Sequence, residues 1–234
     1  MIAPQATYAL TQRCILRKLL LTPLSPEVHS GLMYLFGYWL MKLGGVLHHV
    51  VIMPNHIHAI VTMERANLPA FKGHFYREAS KFVKVALAEH GYEAPEGVFT
   101  EGRGHHMRLV NAAAQLVWLH YEDTNPISAG LVSTIDRYPG YVSPLALLKG
   151  GSAQFRRPPY YCDSKRMPSE LEVETIWCSK LARASMGELP GREMMHSQDC
   201  PEAFSCGTRP ARTKDDLPTP DGPTMAISGC VAMR

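Results

Sequence analysis

The feature that most constrains the fold is a pair of apolar segments, VLHHVVIM and HIHAIVTM, on either side of Pro54-Asn55. Both segments are rich in β-branched and other apolar residues, and a proline followed by asparagine is typical of a tight turn. The sequence therefore predicts a β-hairpin. Because side chains alternate between the two faces of a strand, His56 and His58 point to one face and Ile57 points to the other.

The segments around the hairpin predict an α+β order. They are a β-prone strand at 6–16, an amphipathic helix from Ser25-Pro26-Glu27 to Gly44-Gly45, a second helix at 69–90, a short strand around 98–100 and a third helix at 107–125. The resulting order, β-α-β-β-α-β-α, predicts a ferredoxin-like split βαβ fold. In that fold an antiparallel sheet carries helices on one face, and here the third helix is appended.

The sequence predicts three regions along the 234 residues. Residues 1–150 form the main domain, whose apolar periodicity is strong. Residues 151–204 are expected to form an extended arm and a helix over 169–186, with Ser169 as its N-cap. In 205–234, proline, glycine, serine and threonine recur without a period, which predicts a disordered tail.

Composition narrows the classes of protein. No apolar run approaches the roughly 18–20 residues of a membrane-spanning helix, and the N-terminus lacks the pattern of a secretory signal. Six cysteines include no C-x-x-C pair, so reduced thiols in a cytoplasm are expected. Residues 1–160 carry 15 Lys and Arg against 10 Asp and Glu, so the N-terminal part of the chain is the basic part.

The paired histidines indicate a candidate metal site. Neutral imidazole binds divalent metals, and His56 and His58 share one face of a strand that already fixes their spacing. The simpler interpretation is that they are half-exposed strand histidines that bond to their neighbours. His48 and His49 lie on the preceding strand, and as adjacent residues they should point to opposite faces, so at most one would join the site.

The third helix offers a further ligand. Tyr121 and Asn125 are four residues apart and therefore lie one turn apart on the same helix face. Two histidines leave Mg²⁺ or Mn²⁺ largely open, which suits the polarisation of a phosphate, and the amide oxygen of Asn125 would be a third ligand. Pro126 is expected to end or kink the helix and so to expose Asn125.

Two motifs together resemble a known family. V-I-M-P-N-H-I-H-A-I-V, followed about sixty residues later by Y-E-D-T-N-P-I-S-A-G-L-V, resembles the HUH single-tyrosine transposases, the insertion-sequence-200-like group and its REP-associated tyrosine transposase relatives. The resemblance spans about residues 5–168 and includes Thr11, Arg13 and the YPGYVS segment at 138–143. It implies that His56 and His58 bind the metal.

The same resemblance implies the chemistry. Tyr121 would be the nucleophile and Asn125 would complete the metal site. The implied activity is metal-dependent cleavage and rejoining of single-stranded DNA near hairpins, through a 5′-phosphotyrosine intermediate and with Mg²⁺ or Mn²⁺. A homodimer is allowed, in which the tyrosine helix serves the site of a partner subunit.

Basic side chains recur around these motifs and are candidates for binding DNA phosphates. They are Arg13, Arg17, Lys18, Lys72, Arg77, Lys81, Arg103 and Arg108. The simpler interpretation of each cluster is a solvated surface.

The sequence also departs from the family pattern. Glu122 and Asp123 follow Tyr121 where an apolar or neutral residue is more usual, and we expect them to point away from the face of Tyr121. Ser128 stands where a basic residue is frequent. Two other functions are therefore considered: a catalytically inactive or domesticated hairpin-DNA-binding protein of the same fold, and an unrelated hydrolase that binds a metal through the H-x-H pair.

Overall fold

The structure is a computed structural model that describes residues 2–102, 104–143, 151–158, 161 and 166–175. Its strands are β1 (Ala6–Arg13), β2 (Gly45–Met53), β3 (His56–Met63), β4 (His105–Leu109), β5 (Tyr141–Val142), β6 (Gly151–Arg156) and β7 (Glu170–Thr175). Its helices are α1 (Pro26–Lys42), α2 (Leu68–Glu89) and α3 (Ala112–Ser128), with short 3₁₀ turns at Ile15–Arg17 and Ile135–Arg137. The predicted tail at 205–234 lies outside the described residues.

The central sheet has the strand order β4-β1-β3-β2, and all its pairings are antiparallel. This order, with a helix after β1 and another after β3, is that of a split βαβ, so the predicted α+β, ferredoxin-like class is confirmed. Three further strands extend the sheet beyond β2. β5 and β7 pair with β2, and β6 pairs with β7, so the sheet continues past residue 150.

The main core lies between the sheet and the pair of helices α1 and α2. Alternate residues of β1 and β3, such as Tyr8, Leu10 and Ile57, are almost fully buried in this layer. Glycine allows the close approach of α1 to its neighbours, because a Cβ at Gly37 would lie 2.3 Å from a methyl of Val173. The core therefore includes strand β7 as well as the predicted elements.

Helix α3 packs against the opposite face of the sheet. Ala9, Ile60 and Leu109, which are the alternate residues of β1, β3 and β4, form a small core with Trp118 and Leu119 of this helix. The histidine pair lies on this same face, because His56 and His58 share the parity of Ile60. The fold therefore places α3 over the face of the sheet that carries the candidate site.

The bounds of α3 differ from the prediction at both ends. The helix begins at Ala112, where the side-chain oxygen of Asn111 accepts a 2.8 Å hydrogen bond from the backbone N–H of Ala114. Pro126 lies inside the helix, which continues to Ser128. Beyond its end, Gly130 has a φ of +68°, the left-handed conformation that glycine favours after a helix.

Two strands replace elements that were predicted differently. Residues 105–109 form β4 beside β1, so the predicted helix start at 107 is wrong, and the segment at 98–100 makes only an isolated bridge between Cys14 and Phe99. The helix predicted over 169–186 is also wrong at its start. Glu170–Thr175 is strand β7, and residues 176–186 lie outside the described part of the chain.

Two further properties follow from the described residues. Within them, no helix is long and apolar enough to cross a membrane. Cys14 has a free thiol and is fully buried, and burial raises the pKa of that thiol to about 12, so it stays protonated at neutral pH.

Candidate active site

The histidine pair is positioned by the start of β3. The rings of His56 and His58 lie on one face of the strand, with centroids 4.6 Å apart and planes nearly perpendicular at 86°. Ile57 between them is buried in the main core on the other face. Packing of Ile57 therefore fixes which way both imidazoles point.

Each imidazole is oriented by a hydrogen bond at Nδ1. Thr11 of the neighbouring strand β1 places its Oγ1 3.0 Å from Nδ1 of His58, and Oδ1 of Asn55 lies 2.5 Å from Nδ1 of His56. Because an amide oxygen only accepts, His56 carries its proton on Nδ1 when it is neutral, and the Thr11 hydroxyl can accept from His58 in the same way. In that arrangement the lone pair of each ring is on Nε2. Partners of this kind commonly orient metal-binding histidines.

Helix α3 brings Tyr121 and Asn125 to the same place. The ring of Tyr121 meets the ring of His58 edge to face, with centroids 5.5 Å apart, and it also contacts the ring of Trp118, with centroids 5.3 Å apart. The amide Nδ2 of Asn125 lies 3.5 Å from Nε2 of His58. Since the oxygen and nitrogen of an amide are assigned only from their hydrogen bonds, a flip of Asn125 turns Oδ1 towards the same nitrogen.

Both histidines are held in the neutral form. Burial, and after it the positive charge of Arg13, lower the pKa of His56 to about 4, although a hydrogen bond that the protonated ring donates to Asn125 acts in the opposite direction. Burial, followed by the charges of His56 and Arg13, holds the pKa of His58 well below its usual value of 6.5. The imidazoles therefore keep their lone pairs at neutral pH, which is the form that binds a metal.

The donor set fits an open, weakly held divalent ion. The described residues contain no cluster of three or more His, Cys, Asp and Glu side chains that would enclose a metal. Two imidazole nitrogens and one amide oxygen instead leave several coordination positions to substrate and water. Imidazole suits transition metals more than Mg²⁺, so these residues favour Mn²⁺ of the two predicted ions.

The second histidine pair lies on the same face of the sheet, contrary to the alternation rule. The register between β2 and β3 shifts between Leu47 and His49, as in a β-bulge, and the extra residue is His48. As a result Nε2 of His48 lies 2.7 Å from Oγ1 of Thr62, and Nε2 of the fully buried His49 lies 3.2 Å from Oδ1 of Asp123. The prediction that these two histidines point to opposite faces is therefore wrong.

The two acids after Tyr121 are both turned towards the protein. Asp123 forms the contact with His49 that fastens α3 to β2. Glu122 is fully buried, and neither carboxyl oxygen has a hydrogen-bond partner among the described residues. Burial, together with the charge of Asp123, raises the pKa of Glu122 well above 4.5. Sequence reasoning anticipated neither the contact with His49 nor the burial of an unpaired acid.

Some of the basic residues lie near the site. Arg13 pairs in register with His56 across β1 and β3, and Arg17 and Lys18 are exposed in the turn that follows. Arg108 is exposed on β4. Arg103 lies outside the described residues.

The basic residues of α2 are not brought to the site, because α2 packs on the opposite face of the sheet. Lys72 is only 2% exposed, and its ammonium group donates a 2.8 Å hydrogen bond to the backbone oxygen of Gly104, so the predicted place for Lys72 on a basic surface is wrong. Arg77 and Lys81 are exposed, and each lies 3.3 Å from the carboxylate of Glu78.

Comparisons with known proteins give a structural likeness but no match by sequence. No protein-family model matches the chain, and no curated protein matches it by sequence. A solved structure of a REP-associated tyrosine transposase bound to a REP hairpin matches with a TM-score of 0.47 and 16% identity. The match covers 60% of this chain and 78% of that one. At this identity it carries no information about individual side chains.

Proposed function

We propose that this chain is a metal-dependent transesterase of single-stranded DNA, which cleaves and rejoins strands near hairpins through a 5′-phosphotyrosine intermediate. The observation that supports it most is the convergence of Tyr121 and Asn125 on the two oriented histidines, since the two sequence motifs are 63 residues apart between His58 and Tyr121. An isolated pair of strand histidines would not require a tyrosine and an amide one helical turn apart above it.

The reaction is a balanced exchange at phosphorus. The hydroxyl oxygen of Tyr121 forms a bond to the phosphorus while the bond from phosphorus to the 3′-oxygen breaks. The phenol loses its proton, and the leaving oxygen gains one to become a 3′-OH. Attack of a 3′-OH on the phosphotyrosine reverses these steps and joins two strands. Because the energy of the bond is kept in the covalent link, no nucleotide cofactor is needed.

The protein must lower the barrier for a weak nucleophile, since a phenol has an ordinary pKa of about 10. Ring contacts with Trp118 and His58 restrain the ring of Tyr121, which favours one direction of attack. His56, His58 and Asn125 would hold the divalent ion. When bound, Mg²⁺ or Mn²⁺ would withdraw charge from the non-bridging phosphate oxygens. Arg13 adds positive charge beside the same site.

All four site residues come from one chain, so the proposal does not need the tyrosine of a partner subunit. The proposed binding partner is single-stranded or hairpin DNA, and Arg17, Lys18 and Arg108 are exposed cations that would bind its phosphates.

A second candidate function is hairpin-DNA binding without catalysis. The buried acid at Glu122 favours this function. Its carboxyl oxygens lack a partner directly beside Tyr121, and such an unfavourable burial is not expected next to a nucleophile that is maintained for catalysis. This function predicts DNA binding that survives Tyr121→Phe and does not depend on a divalent ion.

The test is incubation of the purified chain with a labelled single strand that carries a hairpin and with Mn²⁺, followed by a denaturing gel. A slowly migrating covalent adduct should form and should be lost in Tyr121→Phe and in His56→Ala. Tyr138→Phe is the matched control, because this buried tyrosine bonds to the backbone of Ile52 rather than to the site. Cleavage that persists in Tyr121→Phe would exclude the proposed nucleophile.

A further inference from the structure

The segment that connects β1 to α1 exposes two leucines. Leu16 is 81% exposed and Leu19 is 64% exposed, and the two residues between them, Arg17 and Lys18, are exposed cations. We call residues 15–20 the leucine loop. Single exposed leucines are common on protein surfaces, but here two of them flank two cations within one short loop and form a mixed apolar and basic patch.

The backbone of the leucine loop is strained at its tip. Leu16 has a φ of +51° and Arg17 a φ of +56°, and both values lie in the left-handed region that side chains other than glycine rarely adopt. Two such residues in succession persist only where the surrounding structure holds them, and conformations of this kind cluster at functional sites. The strain therefore points to a loop that is fixed in place.

Hydrogen bonds at both ends of the loop provide that fixation. The N–H of Cys14 donates to the backbone oxygen of Asn55, and the N–H of Leu21 donates to that of Pro54, each at 2.8 Å. Cys14 and Leu21 are themselves fully buried. Both ends are therefore attached to the turn of the β2–β3 hairpin, and the side chain of that same Asn55 orients His56.

The loop is also continuous with the candidate active site along β1. Arg13 pairs with His56, and Leu16 follows only three residues later, which limits their separation to roughly 10 Å of extended chain. The leucine loop therefore lies within reach of a strand whose phosphate is at the histidines and which runs along Arg13.

We propose that the leucine loop binds unpaired nucleotides of the DNA strand next to the site of cleavage, with Leu16 and Leu19 against base faces and Arg17 and Lys18 on phosphates. This inference rests on the proposed function, because it takes the strand at His56 and His58 as its starting point. Two leucines on either side of two cations match the two surfaces of a single strand, which are apolar bases and anionic phosphates. A second copy of this chain would place like charges of two loops against each other.

The inference is tested by binding of the full chain, in EDTA, to a DNA hairpin with single-stranded flanks of about ten nucleotides, a length within the site size of single-strand-binding proteins. A 2-aminopurine in one flank, or in the stem, reports base contacts. The variant is the double change Leu16→Ala with Leu19→Ala. Its matched control is Leu131→Ala, since Leu131 is an exposed leucine beyond the end of α3.

The double variant should bind the flanked hairpin at least about tenfold more weakly, in keeping with the loss of two base contacts. Its salt dependence should be unchanged and its flank fluorescence response lost, whereas Leu131→Ala should behave as the unaltered chain does. Arg17→Ala should instead lower the slope of log affinity against log salt by about 1. A circular dichroism spectrum like that of the unaltered chain should accompany every variant, because the exposed leucines take no part in the core.

Unchanged affinity in the double variant would overturn the inference. An equal loss of affinity for blunt duplex DNA would also overturn it. A double variant that keeps its DNA affinity but sediments as a monomer where the unaltered chain sediments as a dimer would show that the loop binds a second copy of the chain instead. Formation of the Tyr121 adduct is scored on the same oligonucleotide. If the adduct forms and the leucines have no effect, only the inference fails; if the leucines matter and no adduct forms, only the proposed chemistry fails.

Discussion

Replacement of Glu122 by leucine should stabilise the protein, although the residue lies directly after the proposed nucleophile. Glu122 lies on α3 and is fully buried, and its carboxyl oxygens have no hydrogen-bond partner in the described part of the chain. Leucine has a helix propensity similar to that of glutamate and needs no polar partner. The change therefore removes an unfavourable burial without a cost to the helix.

The magnitude has two parts. A buried polar group without a partner costs about 1–3 kcal/mol even when it is neutral. The second part depends on pH, because burial raises the pKa of Glu122 in the folded state above its ordinary value of 4.5. Because the folded state keeps the proton of Glu122 to a higher pH than the unfolded state does, the free energy of unfolding falls as the pH rises from the ordinary pKa to the raised pKa. The loss is at most about 1.4 kcal/mol for each pH unit.

The assay is urea denaturation of the unaltered chain and of Glu122→Leu at pH 5 and at pH 8, in EDTA so that no metal binds. The variant should be more stable at both values, and its advantage should be larger at pH 8. Glu89→Leu is the control, because Glu89 is an exposed residue at the end of α2 and undergoes the same change of charge. A destabilised Glu122→Leu, or an advantage that is the same at both pH values, would refute the reasoning.

Three further changes test other contacts. Asp123→Ala removes the partner of the buried His49 and should lower the free energy of unfolding by about 1–3 kcal/mol, measured in urea; an unchanged value would mean that this contact does not hold α3. Gly37→Ala places a methyl 2.3 Å from a valine methyl of β7 and should destabilise by about 1–3 kcal/mol, so an unchanged melting temperature would argue against β7 packing on α1. Thr11→Val removes the hydroxyl beside His58 and should weaken Mn²⁺ binding about ten- to hundredfold in calorimetry with little change in stability; equal affinity would exclude an orienting role.

Local signals in the sequence predicted most of the sheet and helix order. The hairpin, and the sheet face to which each of its side chains points, were predictable because turn residues and a period of two are local properties. Helix α1 begins at Pro26, as its start signals indicate. Helical spacing indicated that Tyr121 and Asn125 share one face, but the meeting of that face with His58 was inferred mainly from the motif resemblance. It depends on α3 crossing the sheet, which a local pattern does not encode.

Other features depended on contacts between distant residues. The bulge at His48 turns the side chains of His48 and His49 to the same face of the sheet, and no local signal in the sequence marks this bulge. β4 is short and mostly exposed, so its period of two is weak beside that of the adjoining helix, although Asn111 before an alanine run was a usable cap signal. In ELEVET, Leu171 and Val173 alternate inward, and this pattern was outweighed by the propensity of glutamate and leucine for helices.

The central claim is that Tyr121 forms the covalent bond to DNA, and mass spectrometry of the trapped adduct tests it most directly. Trypsin releases residues 109–137 as one peptide that contains no tyrosine other than Tyr121. After incubation with the hairpin strand and Mn²⁺ and digestion of the DNA, that peptide should carry a nucleotide linked through its 5′-phosphate. Cleaved DNA together with an unmodified 109–137 peptide, or a nucleotide on any other peptide, would contradict the proposed mechanism.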